Sequence, residues 1–233
     1  MTASATATHH YAIIVAGGSG MRMQSSIPKQ FLLLNGKPIL MHTLVAFDNS
    51  ASSPQLIVVL HSDYHAYWQQ LCIEHNFTIP HQLIKGGETR FHSVNSGLAV
   101  IEDKNAIVAI HDAVRPLTPV EIIDHAFLYA ETNGNAIVAV KSRDSIRQVK
   151  GNHSVNLVRD EIFLVQTPQT FQYEQLKKAY EQEYNTHFTD DASVVESAGI
   201  TINLVAGSYE NIKITFPEDI AIAEAILNKK PSA

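Results

Sequence analysis

Four short runs are apolar at nearly every position: Tyr11-Ala-Ile-Ile-Val-Ala16, Gln55-Leu-Ile-Val-Val-Leu60, Ala106-Ile-Val-Ala-Ile110 and Ala136-Ile-Val-Ala-Val140. A strand with one wet face alternates polar and apolar residues, so continuous runs suit strands buried on both faces. Between the runs, Ile39 to Phe47, Tyr64 to His75, Phe91 to Ile101 and Pro119 to Glu131 can present apolar faces at helical spacing. This alternation predicts an α/β fold, a Rossmann-like and mostly parallel sheet with helices on both faces. Ligands bind such sheets at the carboxyl ends of the strands, so the loops that follow the runs are where chemistry is expected.

Composition narrows the function classes. With 233 residues, 45% of them hydrophobic, the chain can bury a sizeable core. Its formal charge of −6 and the lack of a basic tail argue against nucleic acid as a partner. Cys72 is the single cysteine, which leaves no intrachain disulfide and no multi-cysteine zinc site. No apolar run reaches the roughly 18 residues of a membrane span, and Met1 to Thr8 lacks the basic and apolar regions of a secretion signal. A soluble cytoplasmic protein is expected.

One segment breaks the rhythm. Lys141 to Asp160 is polar, with a Lys150-Gly151-Asn152 turn between Ser145–Val149 and Ser154–Val158. It reads as a hairpin with too little apolar surface to stand alone. It either folds back on its own domain or projects and is covered by a second subunit.

The strongest chemical signal follows the first run: Ala16-Gly17-Gly18-Ser-Gly20-Met-Arg22, then Pro28-Lys29-Gln30. Glycines admit a close backbone approach to phosphates, with amide N–H groups turned inward. Arg22 offers a forked contact and Lys29 a point charge where a triphosphate would lie. A Walker loop is excluded because Gly20 precedes Met21-Arg22, and a dinucleotide fingerprint because Met23 stands at its third glycine. The plain alternative is a glycine turn beside solvated basic residues.

Further motifs lie at later strand ends. Gly86-Gly87-Glu88-Thr89-Arg90-Phe-His-Ser93 separates an expected strand, His81 to Lys85, from a helix. It is either a helix start serving its own backbone or a ligand-facing N-terminus. His111-Asp112-Ala-Val-Arg115-Pro116 ends a buried run. Asp112 there could hold a metal, a ribose or a hydroxyl, and Arg115 a phosphate, or the two could simply brace a loop. Thr167-Pro168-Gln169 follows another apolar run, and Thr189-Asp190-Asp191 precedes a short helix that Asp190 or Thr189 could cap. Lys213, in Asn211-Ile-Lys-Ile-Thr215, is expected in a late strand whose alternation could turn it toward the site.

Taken in order, these motifs resemble the methylerythritol phosphate cytidylyltransferase family of CTP-dependent sugar-phosphate nucleotidyltransferases. The resemblance spans about residues 11 to 227 and includes Ala-Gly-Gly-x-Gly-x-Arg, Pro-Lys-Gln-Phe, Gly-Gly-x-x-Arg-x-x-Ser-Val, His-Asp-x-x-Arg-Pro, Thr-Pro-Gln-x-Phe, Thr-Asp-Asp-Ala-Ser and Asn-Ile-Lys-Ile-Thr. It implies one nucleotidyltransferase domain over 1–233 that transfers CMP from CTP to a polyol phosphate and releases pyrophosphate. Ribitol 5-phosphate is the alternative acceptor. By resemblance, Ala16, Gly17, Gly18 and Gly20 wrap the CTP phosphates, while Arg22 and Lys29 stabilise charge at the reacting phosphorus. Gly87, Glu88 and Ser93 lie around cytosine and ribose, with Asp112 shared between nucleotide and acceptor. Arg115, Ser145, Thr167 and Thr189 contact the acceptor, and Lys213 steers its phosphate. Magnesium is implied, held mainly by the CTP phosphates, with Asp112 a candidate protein ligand. The family's hairpin, here 141–160, is a dimerisation arm that places Arg159 in the neighbouring subunit's site. Ser145 stands where the family's arm has Thr, and Glu88 where relatives carry Asp.

Overall fold

The computed structural model describes residues 9–17 and 27–229. Gly18, Gly20 and Arg22 lie outside these described residues. Strand β1 (His10–Val15) leads through a small hairpin, β2 (Leu33–Leu34) and β3 (Lys37–Pro38), into helix α1 (Ile39–Asp48). Strand β4 (Gln55–Leu60), helix α2 (His65–Glu74), strand β5 (Gln82–Lys85), helix α3 (Arg90–Leu98) and strand β6 (Ile107–Asp112) follow. Helix α4 (Val120–Asn133) leads into strand β7 (Asn135–Lys141). After the arm strands β8 (Arg147–Lys150) and β9 (His153–Asn156) come β10 (Phe163–Gln172), α5 (Tyr173–Ala179), α6 (Asp191–Ser197), β11 (Leu204–Ala206) and α7 (Glu218–Leu227).

Among the described residues, seven strands form one sheet in the order β11-β7-β10-β6-β1-β4-β5. The β1–β4, β1–β6, β4–β5 and β7–β11 pairs are parallel, whereas β10 runs antiparallel to both β6 and β7. The apolar runs are continuous because each strand feeds two cores. Ala12, Ile14, Val58, Ala109 and Val138 pack on one face with Leu44 and Phe47 of α1, Trp68 of α2 and Phe127 of α4. Their neighbours Ile13, Ile57, Val59, Val108, Ile110 and Ile137 pack on the other with Val94 and Leu98 of α3, Leu176 of α5 and Val195 of α6. The period-two alternation of a strand turns successive side chains to opposite faces, and here both faces are dry.

Two features of this fold locate a site. Strand β1 has β4 on one side and β6 on the other, so the winding reverses between β1 and β6 and opens a crevice at their carboxyl ends. Helix α3 is also drawn tightly onto the sheet at Gly97, where a Cβ would lie 2.8 Å from Ile13 Cγ2. The N-terminal part of the same helix, with Arg90 and Ser93, borders the crevice.

Lys213 corrects the expectation of a late strand, since residues 211–215 carry no strand. The segment is held instead by Ile214, which is fully buried with Leu34, Val114 and Ala223, and whose N–H donates to the Val114 carbonyl at 2.9 Å. Ile212 packs against the same cluster, so Lys213 is left to face away from it. The alternation argument therefore survives without the ladder. The arm strands pair only with each other among the described residues, in their own two-stranded sheet, and are a little shorter than the sequence suggested.

Candidate active site

The crevice is lined by Ala16 and Gly17 after β1, Lys29 and Gln30, Gly87 to Arg90 and Ser93 at the start of α3, Asp112 at the end of β6, and Lys213. The two described glycine turns meet at one hydroxyl. Ser93 Oγ accepts from the Gly87 N–H at 3.1 Å, and a Cβ on Gly17 or on Gly86 would lie 3.3 Å from it. Gly87 has no room for a side chain, because its Cβ would fall 2.4 Å from His92 Cβ. Thr89 caps α3 by accepting from the His92 N–H. Thr89 and Ser93 thus serve the local backbone, and the N-terminal turn of α3 that they fix borders the crevice. Glu88 is exposed at its rim.

Gln30 is buried and donates through Nε2 to the Ala16 carbonyl at 2.7 Å, which fixes the exit of β1. Beside it, Lys29 Nζ donates to the Ile214 carbonyl at 3.2 Å. Lys29 is thereby tied to the residue next to Lys213, although 185 positions separate the bonded pair in sequence.

Asp112 is the centre of the charge arrangement. Its Oδ2 lies 2.8 Å from Lys213 Nζ and 3.7 Å from Arg115 Nε, and its Oδ1 lies 3.5 Å from Arg90 Nε. Burial would push this carboxyl up, but Arg90, Lys213 and Arg115 together outweigh it and hold Asp112 well below the usual carboxylate range. Arg90 also makes a forked pair with the fully buried Asp191, at 2.8 and 2.7 Å, and the Tyr180 hydroxyl donates to the same carboxylate at 2.6 Å. Burial would lower the Arg90 pKa, but Asp191 and then Asp112 raise it above its ordinary value.

Behind Asp112, His111 is completely buried and held down to about 3, chiefly by desolvation. Its Nε2 lies 3.2 Å from the Arg115 carbonyl, which can only accept, so Nε2 carries the hydrogen and Nδ1 accepts from the Thr167 hydroxyl at 3.1 Å. The same Thr167 oxygen accepts the Asp112 N–H at 3.1 Å.

The sequence-predicted residues therefore divide. Ala16, Gly17, Lys29, Gly87, Glu88, Ser93, Asp112 and Lys213 share the crevice. Arg115 and Thr167 stand behind it. Arg115 Nη1 donates to the Asn211 carbonyl at 2.7 Å, so this residue braces the loop rather than lining the crevice, and Thr167 is buried with its hydroxyl committed to Asp112 and His111. Thr189 is exposed and outside the lining, while its neighbour Asp190 caps α6 through a reciprocal bond with Ser193. Ser145 and Arg159 are exposed on and beside the arm and do not line the crevice of their own chain. Sequence reasoning missed the roles of Arg90, Asp191, His111 and Gln30, although each lies inside a motif already singled out.

Asp112 does not fit a metal-ligand role in this arrangement, because cations already approach both of its oxygens. Among the described residues no group of three or more His, Cys, Asp or Glu side chains is placed to hold a metal ion. No helix among them is long and apolar enough to cross a membrane.

Comparison with known proteins agrees with this geometry. The family model described as IspD, 2-C-methyl-D-erythritol 4-phosphate cytidylyltransferase, matches residues 10–229. The cytidylyltransferase of that name from Bacteroides thetaiotaomicron is 47% identical over 215 residues, covering 92% of this chain and 98% of the relative. The one from Porphyromonas gingivalis is 46% identical over 220 residues, covering 93% and 97%. The crystal structure of 4-diphosphocytidyl-2C-methyl-D-erythritol synthase from Anaerococcus prevotii superposes with a TM-score of 0.82 at 27% identity, over 95% of this chain and 97% of that one. The Francisella tularensis cytidylyltransferase does so with a TM-score of 0.77 at 33% identity, over 94% and 99%. A match along nearly the full length, carried by a switch-point crevice in which glycine turns face converging lysines, leaves one assignment: the chain belongs to the 2-C-methyl-D-erythritol 4-phosphate cytidylyltransferase family.

Proposed function

We propose that this chain transfers CMP from CTP to 2-C-methyl-D-erythritol 4-phosphate, giving the cytidine diphosphate polyol and pyrophosphate. The observation that carries the reading is the meeting of Lys29 and Lys213 in one crevice with Gly17 and the N-terminus of α3. In the reaction, an oxygen of the acceptor phosphate forms a bond to the α-phosphorus as the bond to the bridging oxygen of pyrophosphate breaks. No covalent enzyme intermediate is required, so the protein's part is positioning and charge neutralisation. Lys29 lies where the triphosphate would meet the glycine turn, and Arg22 is expected to join it. Lys213, held by Asp112 at 2.8 Å, would receive the acceptor phosphate. Glu88, with the backbone around Gly87, borders the space left for the nucleoside. The CTP phosphates themselves would be the main ligands of magnesium, which would neutralise part of their charge.

The arm completes the reading. Val149 is 75% exposed, and Val158, Phe163, Leu164 and Val165 are also exposed. These exposed apolar residues, on and beside a hairpin whose strands pair only with each other among the described residues, suit burial against a second copy. In the homodimer, Arg159 and Ser145 would reach the partner's acceptor site. A cytoplasmic location accompanies this reading, with CTP as the substrate.

A pyrophosphate-release assay crossing four nucleoside triphosphates with 2-C-methyl-D-erythritol 4-phosphate and ribitol 5-phosphate tests the proposal. Release is expected with CTP and the methylerythritol phosphate. Preference for ribitol 5-phosphate, or silence with every pair, would overturn it.

A further inference from the structure

Arg90 occupies an unfavourable position for a cation. It is the first residue of α3, whose first turn has no acidic residue, and the N-terminal end of a helix carries partial positive charge. Asp191, at the start of α6 where a carboxylate is favoured, is nonetheless fully buried, and a buried carboxylate is costly without a partner. Each compensates the other through the forked contact at 2.8 and 2.7 Å, with the Tyr180 hydroxyl completing the shell. A staple between two helices would need only the two terminal nitrogens of that fork. The third nitrogen, Nε, is directed at Asp112 Oδ1, 3.5 Å away, while the other oxygen of Asp112 holds Lys213 Nζ at 2.8 Å. The guanidinium thus links an anchor in the protein interior to the carboxylate that sets the lysine in the crevice.

We infer that Arg90, anchored by Asp191, is a positioning residue for the transfer step, fixing Asp112 and through it the ammonium of Lys213. This rests on the cytidylyl-transfer reading and deepens it. Geometry favours arginine: its rigid fork meets both Asp191 oxygens while a separate nitrogen faces Asp112, whereas a lysine has one nitrogen for all three oxygens.

Two variants test the role by pyrophosphate release and by urea unfolding. Arg90→Lys keeps the charge and the partner for Asp191 but gives up the second arm. The triple variant Arg90→Met, Asp191→Leu, Tyr180→Phe replaces the buried polar set with apolar groups of similar size, an exchange that leaves no unpaired charge behind. Both are expected to lower kcat by about 10- to 100-fold with the CTP KM changed no more than about twofold, because misplacing a reacting group costs turnover rather than nucleotide binding. Arg90→Lys is expected to fold, so the comparison stands whether or not the triple variant does. Retention of kcat within about twofold in Arg90→Lys, or in a folded triple variant, would reduce Arg90 to a helix staple. Parallel loss of kcat and CTP affinity would make it a nucleotide contact instead. An inactive wild type counts against the functional reading, whereas an active wild type with equally active variants counts against Arg90 alone.

Discussion

Replacing Lys213 by methionine removes the ammonium while keeping most of the stem, and the structure separates what this does to stability from what it does to turnover. Lys213 Nζ contacts Asp112 Oδ2 at 2.8 Å, but its side chain is 41% exposed. Asp112 retains Arg90 at 3.5 Å and Arg115 at 3.7 Å. In Lys213→Met, the carboxylates of Asp112 and Asp191 therefore still face the guanidinium groups of Arg90 and Arg115. A half-exposed ion pair with such a remainder is worth no more than about 1 kcal/mol of folding free energy. Turnover responds differently, because the ammonium acts on charge that moves during the reaction. Losing one such preorganised group costs about 100- to 1,000-fold in kcat, or about 3–4 kcal/mol. The assay is pyrophosphate release at saturating CTP and 2-C-methyl-D-erythritol 4-phosphate, beside urea unfolding of the same preparation. A variant that keeps its unfolding midpoint and loses turnover fits the reasoning. A variant that keeps turnover within about threefold refutes the steering role, and one that loses stability and activity together refutes the separation.

Lys29→Ala should lower kcat far more than it weakens CTP binding, as measured by steady-state kinetics and calorimetry, since its charge matters most as the transition state forms. Gly87→Ala should destabilise by about 1–3 kcal/mol and raise the CTP KM, because a Cβ 2.4 Å from His92 Cβ must displace the start of α3; unchanged unfolding would contradict the packing. Acidification should weaken the fold well before carboxylates titrate. His111 stays neutral in the folded protein down to about 3 but protonates near 6.5 when unfolded, so its contribution is fully present above pH 6.5 and is lost progressively below it, at up to about 1.4 kcal/mol per pH unit. His42, also lowered by burial, adds to the same slope. His111→Gln should flatten part of the decline in urea midpoints between pH 6.5 and 4.5, and an unaltered slope would discount the residue. Val149→Asp with Val158→Asp should yield monomers in sedimentation and lower kcat, whereas a persisting dimer would place the interface elsewhere.

The fold was legible wherever burial on both faces made a strand apolar at every position, as in β1, β4, β6 and β7. It was least legible at β10, which crosses the middle of the sheet yet contains Gln166, Thr167 and Gln169. Those residues are polar because they are satisfied individually. Gln169 Nε2 donates to Asp190 at 2.9 Å and its Oε1 accepts the Ala192 N–H at 2.8 Å, while Gln166 Nε2 donates to the Ser208 carbonyl at 2.8 Å. Hydrophobic periodicity does not register a strand stabilised in this way. The site shows the same division. Lys29, Asp112 and Lys213 were marked by strand-end position and motif order, but the Arg90–Asp191 pair joins residues 101 positions apart, and no local pattern announces such a contact.

An acidic chain can build an anion site of this kind only by bringing carboxylates with the cations. Arg90, Arg115 and Lys213 standing alone around one point would repel one another in a region where burial strengthens every Coulombic interaction. Asp112 and Asp191 allow them to pack before any substrate arrives, and Asp191 sits on the far side of Arg90 from the crevice, so the network keeps a directional bias without a large net charge. Asp112 is then a placeholder as well as a partner. Its contact with Lys213 holds the ammonium in the crevice, and on the proposed reading an arriving phosphate needs only to draw the lysine off one carboxylate oxygen. Arg115, 3.7 Å from that oxygen, and Arg90, 3.5 Å from the other, remain to compensate the carboxylate once the lysine has turned to substrate.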